Sequence, residues 1–141
     1  WTVHDSNNWT HSGGEFTYGG AFPASGSRKF LVSWALSAES YTNKNYTNTK
    51  VRVTKDTGSG HAVVPGSVVS STWYGVVGIF SLIFNRADIA GSCVVSIESG
   101  DKIGLDWGLY CNHAPGSTFN ATWYTWDDGI IISITPVDIN P

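Results

Sequence analysis

Large apolar residues recur at every second position in short runs of this chain, and no stretch repeats them with the 3.6-residue period of a helix. Successive side chains of a strand point to opposite faces, so this alternation is typical of strands with one buried face. The pattern therefore predicts an all-β fold whose core is formed by one face of each strand. The residues predicted to face the core are Phe30, Val32, Trp34, Leu36, Val95, Ile97, Ile103, Leu105, Trp107, Leu109, Ile130, Ile132 and Ile134.

Segments rich in Gly, Pro, Asn and Ser separate these runs and predict the connections between strands. Turns are predicted at residues 56–60, at the Pro65-Gly66 pair and at residues 127–129. Residues 41–49 contain three Asn and three Thr and are predicted to form a loop.

The most apolar segment, residues 78–84, predicts a central strand buried on both faces, and residues 85–88 then interrupt the pattern. Pro136 is expected to end the last strand because proline lacks the N–H that a sheet requires. About eight strands result. Since no linker divides the chain, we expect one antiparallel sandwich domain covering residues 1–141.

Two cysteines lie on the arms of one predicted hairpin, in which residues 93–98 and 103–110 flank Ser99-Gly100-Asp101. Cys93 and Cys111 fall on the apolar faces of these arms, so their side chains point to the same side of the sheet. They are directly opposite only if the hairpin is centred just past the turn, so a disulfide requires a bulge or a stagger. A bridge and two buried free thiols therefore both stay open.

Charge and hydropathy argue against several classes of partner. The 141 residues carry a net charge of −3 and contain no cluster of Lys and Arg. Nucleic acids and anionic membrane surfaces both select basic patches, so we expect neither as a partner. The longest apolar run, residues 76–84, is too short to span a bilayer, so no membrane insertion is expected.

Other features favour an extracellular location. Glycosylation sequons begin at Asn8, Asn45 and Asn120. The chain starts at Trp1 and contains no Met, which suggests a processed protein or an excised fragment whose targeting signal lies upstream. We expect a protein that is secreted, otherwise extracellular, or on a virion surface.

No residue pattern indicates catalysis or a metal. There is no G-x-S-x-G elbow, and the acidic residues at 127–129 and 85–88 are explained by turn chemistry. A structural calcium at these turns is the alternative. We therefore expect a non-enzymatic protein without metal or cofactor. The four histidines have no metal-ligand spacing: His4, His11, His61 and His113.

Aromatic residues are the strongest candidates for a binding site, because the chain has seven Trp. Two tetrapeptides are nearly identical, Ser-Thr-Trp-Tyr at residues 71–74 and Ala-Thr-Trp-Tyr at residues 121–124. Aromatic faces can bind sugar rings while neighbouring carboxylates bond to hydroxyls, although packing in a core or an interface is the alternative. The predicted ligand-binding residues are Trp73, Tyr74, Trp123, Tyr124, Trp126, Asp127 and Asp128.

Three segments carry a resemblance to a known family. Residues 94–107, V-V-S-I-E-S-G-D-K-I-G-L-D-W, resemble the late hairpin of tumour-necrosis-factor/C1q-like (TNF/C1q-like) jelly rolls, in which a strand ends in Gly-Asp and alternating apolar residues follow. Residues 128–134, D-G-I-I-I-S-I, look like the final strand of those domains, and residues 30–36 resemble their first long core strand. The resemblance implies an all-β, eight-strand antiparallel jelly-roll sandwich that forms a homotrimer.

Such trimers occur as heads of viral and phage fibres and in some lectins, where they recognise a surface protein or a glycan. We therefore expect a non-catalytic extracellular or virion-surface recognition domain that binds a glycan or a cell-surface receptor as a homotrimeric head. The alternatives are a structural coat or capsid-decorating protein and a carbohydrate-binding appendage of a polysaccharide-degrading enzyme.

Overall fold

A computed structural model describes the backbone of residues 2–4, 8–42, 46–74, 83–111 and 121–137, and the side chains of residues 8–36, 49–71, 88–106 and 130–137. Within these ranges the chain forms strands and no helix, which confirms the all-β prediction. None of the described residues therefore belongs to a helix long and apolar enough to cross a membrane. The strands are β1 (Thr2–His4), β2 (Trp9–Ser12), β3 (Glu15–Tyr18), β4 (Ser27–Thr42), β5 (Tyr46–Asp56), β6 (His61–Val63), β7 (Val69–Tyr74), β8 (Ile83–Glu98), β9 (Lys102–Cys111) and β10 (Ala121–Pro136).

The strands form two sheets. The first has the order β1-β10-β4-β8, and the second has the order β2-β3-β9-β5-β6, with β7 also paired to β5 beside β6. Every pair is antiparallel except β1 and β10, which run parallel. We call them the four-stranded sheet and the six-stranded sheet.

Three of the strand pairs are nested one inside the other along the chain. β5 pairs with β7, β4 pairs with β8, and β3 pairs with β9. The first and third of these pairs lie in the six-stranded sheet, whereas the second lies in the four-stranded sheet. Consecutive strands lie in different sheets after β1, β3, β4, β7, β8 and β9.

Buried residues of both sheets form one hydrophobic cluster, so the fold is β-sandwich-like, and we call it the sandwich. The alternating runs face this core as predicted: Phe30, Val32, Trp34, Leu36, Val95, Ile97, Ile103, Leu105, Ile130, Ile132 and Ile134 are all buried. Each such Val, Leu, Ile or Phe contributes about 1.5–3 kcal/mol when fully buried. Trp107 and Leu109 lie on β9, outside the described side chains.

The predicted hairpin at residues 99–101 is wrong, because β8 belongs to the four-stranded sheet and β9 to the six-stranded sheet. The connection still forms a tight turn: the Asp101 N–H donates to the Glu98 carbonyl at 3.1 Å, and Asp101 Oδ2 accepts the Glu98 N–H at 2.9 Å. Gly100 has a φ of 92°, a conformation that favours glycine. The turn thus leads the chain across the core rather than back along its own sheet.

Two predicted interruptions are paired strand instead, one wholly and the other in its described residues. β4 extends to Thr42 and β5 starts at Tyr46, so most of the predicted loop at residues 41–49 is paired. Residues 85–88 lie within β8 and pair with residues 37–40 of β4. Polar side chains do not end a strand whose backbone groups are hydrogen-bonded by a neighbouring strand. Of the predicted central strand, residues 78–82 lie outside the described part of the chain, and Ile83 begins β8.

The predicted turn at Pro65-Gly66 is confirmed: the Ser67 N–H donates to the Val64 carbonyl at 3.1 Å, and Gly66 has a φ of 75°. Residues 57–60 connect β5 to β6, also as predicted, and β10 ends at Pro136. The predicted turn at residues 127–129 is wrong, because the chain does not reverse its direction there. It lies inside β10, where residues 126–129 form a register shift opposite a single position of β4.

Candidate functional site

The twin Thr-Trp-Tyr segments meet at one end of the sandwich. Trp73 and Tyr74 end β7 and pair with Thr47 and Tyr46 of β5. Residues 121–124 begin β10 and pair with residues 39–42 at the end of β4. Only three residues separate the end of β4 from the start of β5, and four Cα–Cα steps span at most roughly 14 Å. We call this end, which comprises residues 39–42, 46–47, 73–74 and 121–124, the aromatic end.

The two segments belong to different sheets at that end. β7 lies in the six-stranded sheet and β10 lies in the four-stranded sheet. Trp126, Asp127 and Asp128 follow in the register shift of β10, where the strand departs from regular pairing. The side chains of all seven predicted binding residues lie outside the described side chains, so the orientation of Trp73, Tyr74, Trp123, Tyr124, Trp126, Asp127 and Asp128 stays a prediction.

The cysteines do not face each other across a hairpin. Cys93 of β8 lies opposite Val32 in the four-stranded sheet, whereas Cys111 ends β9 opposite Thr47 in the six-stranded sheet. Cys93 is a free thiol, and partial burial raises the pKa of this thiol. A thiol that stays protonated is a poor nucleophile, so Cys93 packs in the core rather than reacting. The Cys111 side chain lies outside the described residues.

A groove of about 490 Å³ lies at the opposite part of the six-stranded sheet. Gly104 lets the Thr54 side chain lie close to β9 in the lining, because a Cβ added at residue 104 would meet Thr54 Oγ1 at 2.7 Å. Gly13 and Gly14, both with positive φ, form the turn at its rim. Its lining residues are Gly13, Gly14, Glu15, Thr54, His61, Gly104, Leu105 and Asp106.

Side chains of both charges lie beside this groove, at its Glu15 and His61 side. Lys102, Asp56 and His61 occupy neighbouring positions on β9, β5 and β6. The Lys102 ammonium donates to Glu15 Oε2 at 3.1 Å, and His61 Nε2 lies 3.5 Å from Glu15 Oε1. We call Glu15, Asp56 and His61 the carboxylate–histidine cluster. It lies at the end of β5 away from the aromatic end, and we call this end the polar end.

Backbone amides hold Asp56 in place. Its Oδ1 accepts the N–H of Gly58 at 2.8 Å and the N–H of Gly60 at 3.3 Å. The bond from Gly58 is the main cause that lowers the pKa of Asp56, with smaller contributions from Gly60, His61 and Lys102, and desolvation opposes them. Asp56 is therefore a carboxylate at neutral pH.

Sequence reasoning missed this cluster because its members come from separate parts of the chain. One signal was available, since Asp56 and His61 flank the predicted turn D-T-G-S-G-H and a short hairpin places such residues opposite each other. Glu15 carried no such signal. It reaches the cluster only because β3 pairs with β9, which pairs with β5.

Comparison of the chain with protein-family models, with curated protein sequences and with solved structures finds no match. The fold and the geometry of the two ends are therefore the basis of a functional assignment.

Proposed function

We propose that this chain is a non-catalytic recognition domain, secreted or on a virion surface, that binds a glycan or a cell-surface receptor through its aromatic end. We further propose a TNF/C1q-like jelly-roll fold and assembly into a homotrimer. The observation that carries the binding proposal is the convergence of the twin Thr-Trp-Tyr segments, which are distant in sequence, on one end of the sandwich.

The nested strand pairs support the jelly-roll part of the proposal. Jelly rolls are antiparallel double-sheet sandwiches built from Greek keys, in which a folded chain wraps across two sheets. The pairs β5–β7, β4–β8 and β3–β9 alternate between the sheets in the manner of such a wrapped chain. The parallel pairing of β1 with β10 departs from a wholly antiparallel wrap.

The chemistry of the aromatic segments supports the choice of ligand. Sugar rings present C–H groups that pack on aromatic faces and hydroxyls that bond to carboxylates. Trp73 and Trp123 come from opposite sheets at the same end of the sandwich, and we propose that one ligand contacts both strands. Asp127 and Asp128 add acceptors in the irregular part of β10.

The outer face of the four-stranded sheet supports assembly. Leu31, Val94 and Ile131 are exposed there by 37%, 55% and 41%. Because charged residues are depleted at interface cores, such a face suits contact with another copy of the chain. The same face favours the second candidate, a structural coat or capsid-decorating role. Lys29 and Asp88 border this face, and the outward positions between them carry small uncharged side chains: Ser33, Ala35, Ala90, Ser92, Ser133 and Thr135.

A glycan array tests the binding proposal directly. Trp73→Ala and Trp123→Ala should each weaken glycan binding about tenfold or more, in line with the loss of a binding anchor. Val63→Ala is the control, because Val63 is an exposed apolar residue of β6, near the polar end. Thermal unfolding of each variant separates lost binding from lost structure.

Two results would count against the proposal. If the wild-type protein binds neither a glycan on the array nor a cell surface, the recognition function is wrong. If the Trp variants keep full binding while remaining folded, the ligand does not bind at the aromatic end. Sedimentation analysis tests the assembly: a stable trimer is expected, and Val94→Asp should dissociate it without unfolding the protomer.

A further inference from the structure

Three side chains of the polar end bring metal-ligating atoms to one point. The carboxylate oxygens of Glu15 and Asp56 and the imidazole nitrogen of His61 include one ligand atom each within 4.8 Å of one another. We propose that this cluster binds a divalent transition-metal ion, and that the ion is Zn²⁺. The proposal departs from the expectation of a metal-free protein. It does not rest on the function proposed for the aromatic end, which lies about 33 Å away along the ten steps of β5.

The donor set selects the class of ion. Calcium and magnesium take oxygen ligands, whereas two carboxylates with one imidazole form the mixed oxygen and nitrogen set that Zn²⁺ accepts. Zinc bonds to such atoms measure about 2.1 Å, so neighbouring ligands of a tetrahedral site lie roughly 3.4 Å apart. The cluster must contract by roughly 1.4 Å, which rotations of partly exposed side chains can supply. The His61 side chain is 56% exposed and the Glu15 side chain is 25% exposed.

Hydrogen bonds already orient two of the three ligands. The amides of Gly58 and Gly60 both bond to Oδ1 of Asp56, which fixes the position of the carboxylate. Lys102 bonds to Oε2 of Glu15, while Oε1 of the same carboxylate is the oxygen closer to His61. Such partners orient metal ligands in the way that outer-shell groups do in known sites.

Lys102 also places a positive charge near the positively charged metal ion. Its ammonium neutralises part of the charge of Glu15 when no metal is bound. The Gln amide keeps an N–H donor for Oε2 of Glu15 but carries no positive charge, so Lys102→Gln should tighten zinc binding about two- to fivefold, the range of an exposed ion pair. A purely structural ion-pair network predicts no binding in either form, so this variant tests the direction of the effect.

The groove determines what the bound ion can contact. Three protein ligands leave the fourth position of a tetrahedral ion open. Glu15 and His61 line the groove, so this open position faces about 490 Å³ of accessible space. A water molecule, or a carboxylate or hydroxyl of a bound molecule, completes the coordination there.

Titration calorimetry of the whole chain with ZnCl₂ is the test. The wild type should bind one Zn²⁺ per chain, and Glu15→Gln, Asp56→Asn and His61→Ala should each raise the dissociation constant about tenfold or more. Asp106→Asn is the matched control, because Asp106 lines the same groove and bonds to Arg52 at 3.0 Å outside the cluster. The dissociation constant of Asp106→Asn for Zn²⁺ should change less than about twofold, because solvent and salt screen interactions between exposed charges that are not in contact.

A second measurement keeps the proposal falsifiable if a variant fails to fold. Amide NMR spectra of the wild type titrated with ZnCl₂ should shift first at Glu15, Asp56, Gly58, Gly60 and His61. The proposal is overturned if the wild type binds no zinc at millimolar concentration, or if the shifts lie elsewhere on the chain. It is also overturned if folded variants of the three ligands bind zinc as the wild type does.

Discussion

The two ends of the sandwich use aromatic residues differently. At the polar end, Trp9, Tyr18 and Phe30 are buried and pack edge to face or tilted, with ring centroids about 5 Å apart. Ionisable side chains occupy the outer surface above them. At the aromatic end, the backbone brings Trp and Tyr from two strands to the ends of the sheets, where Thr47 and Ser40 are the partners of Trp73 and Trp123 and Glu39 is the partner of Tyr124. High aromatic content is therefore shared between core packing and a candidate binding surface, and only position separates the two uses.

The largest expected effect tests this division of aromatic residues. Phe30→Ala should lower the free energy of unfolding by about 3–5 kcal/mol, because Phe30 is 1% exposed and contacts Trp9 and Tyr18. Urea denaturation measures the loss. Trp123→Ala should cost less stability than Phe30→Ala if Trp123 serves binding. Equal losses would mean that Trp123 is a core residue and would remove the contrast between the ends.

A smaller loss of stability is expected from a change in the connection between β6, at the polar end, and β7, which leads to the aromatic end. Ser67 is fully buried between β6 and β7, and its Oγ accepts the Val53 N–H at 3.0 Å and donates to the Val53 carbonyl at 3.2 Å. Ser67→Ala should lower the free energy of unfolding by about 1–3 kcal/mol, because it removes the hydroxyl that accepts the buried Val53 N–H, whereas the Val53 carbonyl still accepts the Val64 N–H at 2.9 Å. Ser70→Ala, at an exposed position, is the control.

The Ser67→Ala variant also tests whether the polar end and the aromatic end depend on each other. β6 carries His61 of the cluster and β7 carries Trp73 of the aromatic end, and Ser67 lies between them. Hydrogen exchange should therefore increase at the amides of both strands in Ser67→Ala. An increase confined to one strand would show that the two ends are held independently.

The smallest effect is a pH dependence at the polar end. The pKa of Asp56 in the folded state is below its ordinary value, so its hydrogen bonds stabilise the fold fully above the unfolded pKa of about 3.9. This contribution is lost as the pH falls through the lowered pKa of the folded state. The unfolding free energies of wild type and Asp56→Asn should therefore differ at pH 7 and converge in acid. A difference that persists unchanged at pH 2 would contradict this role of the Gly58 and Gly60 amides.

The correct and incorrect sequence predictions have a common physical origin. Alternation identified the buried faces of β4, β8, β9 and β10, because period two reports only which side of a strand is covered. The same alternation arises whether two consecutive strands share a sheet or face each other across the core. The predicted hairpin at residues 99–101 was wrong for this reason. Without that hairpin, Cys93 and Cys111 do not lie on two paired arms, which was the basis for considering a disulfide between them.

Local sequence also underestimated the strands. Residues 85–88 and 41–49 are mostly polar, yet neighbouring strands pair with residues 85–88 of β8, with residues 41–42 of β4 and with residues 46–49 of β5. Pro65-Gly66 was correctly predicted because a turn depends on its own residues: Pro presets one dihedral angle and Gly accepts a positive φ. Predictions that depend on neighbours in space are those that sequence alone could not make.

The sequence by itself determined the all-β class, the inward faces of its alternating strands and its tightest turns, since each follows from residues within a few positions of one another. Tertiary structure alone decided which strands share a sheet. It also brought Glu15 to the pair formed by Asp56 and His61, and it placed the twin aromatic segments at one end of the sandwich. These outcomes require pairing between distant segments, and the free energy of that pairing lies in contacts that exist only after the chain has folded.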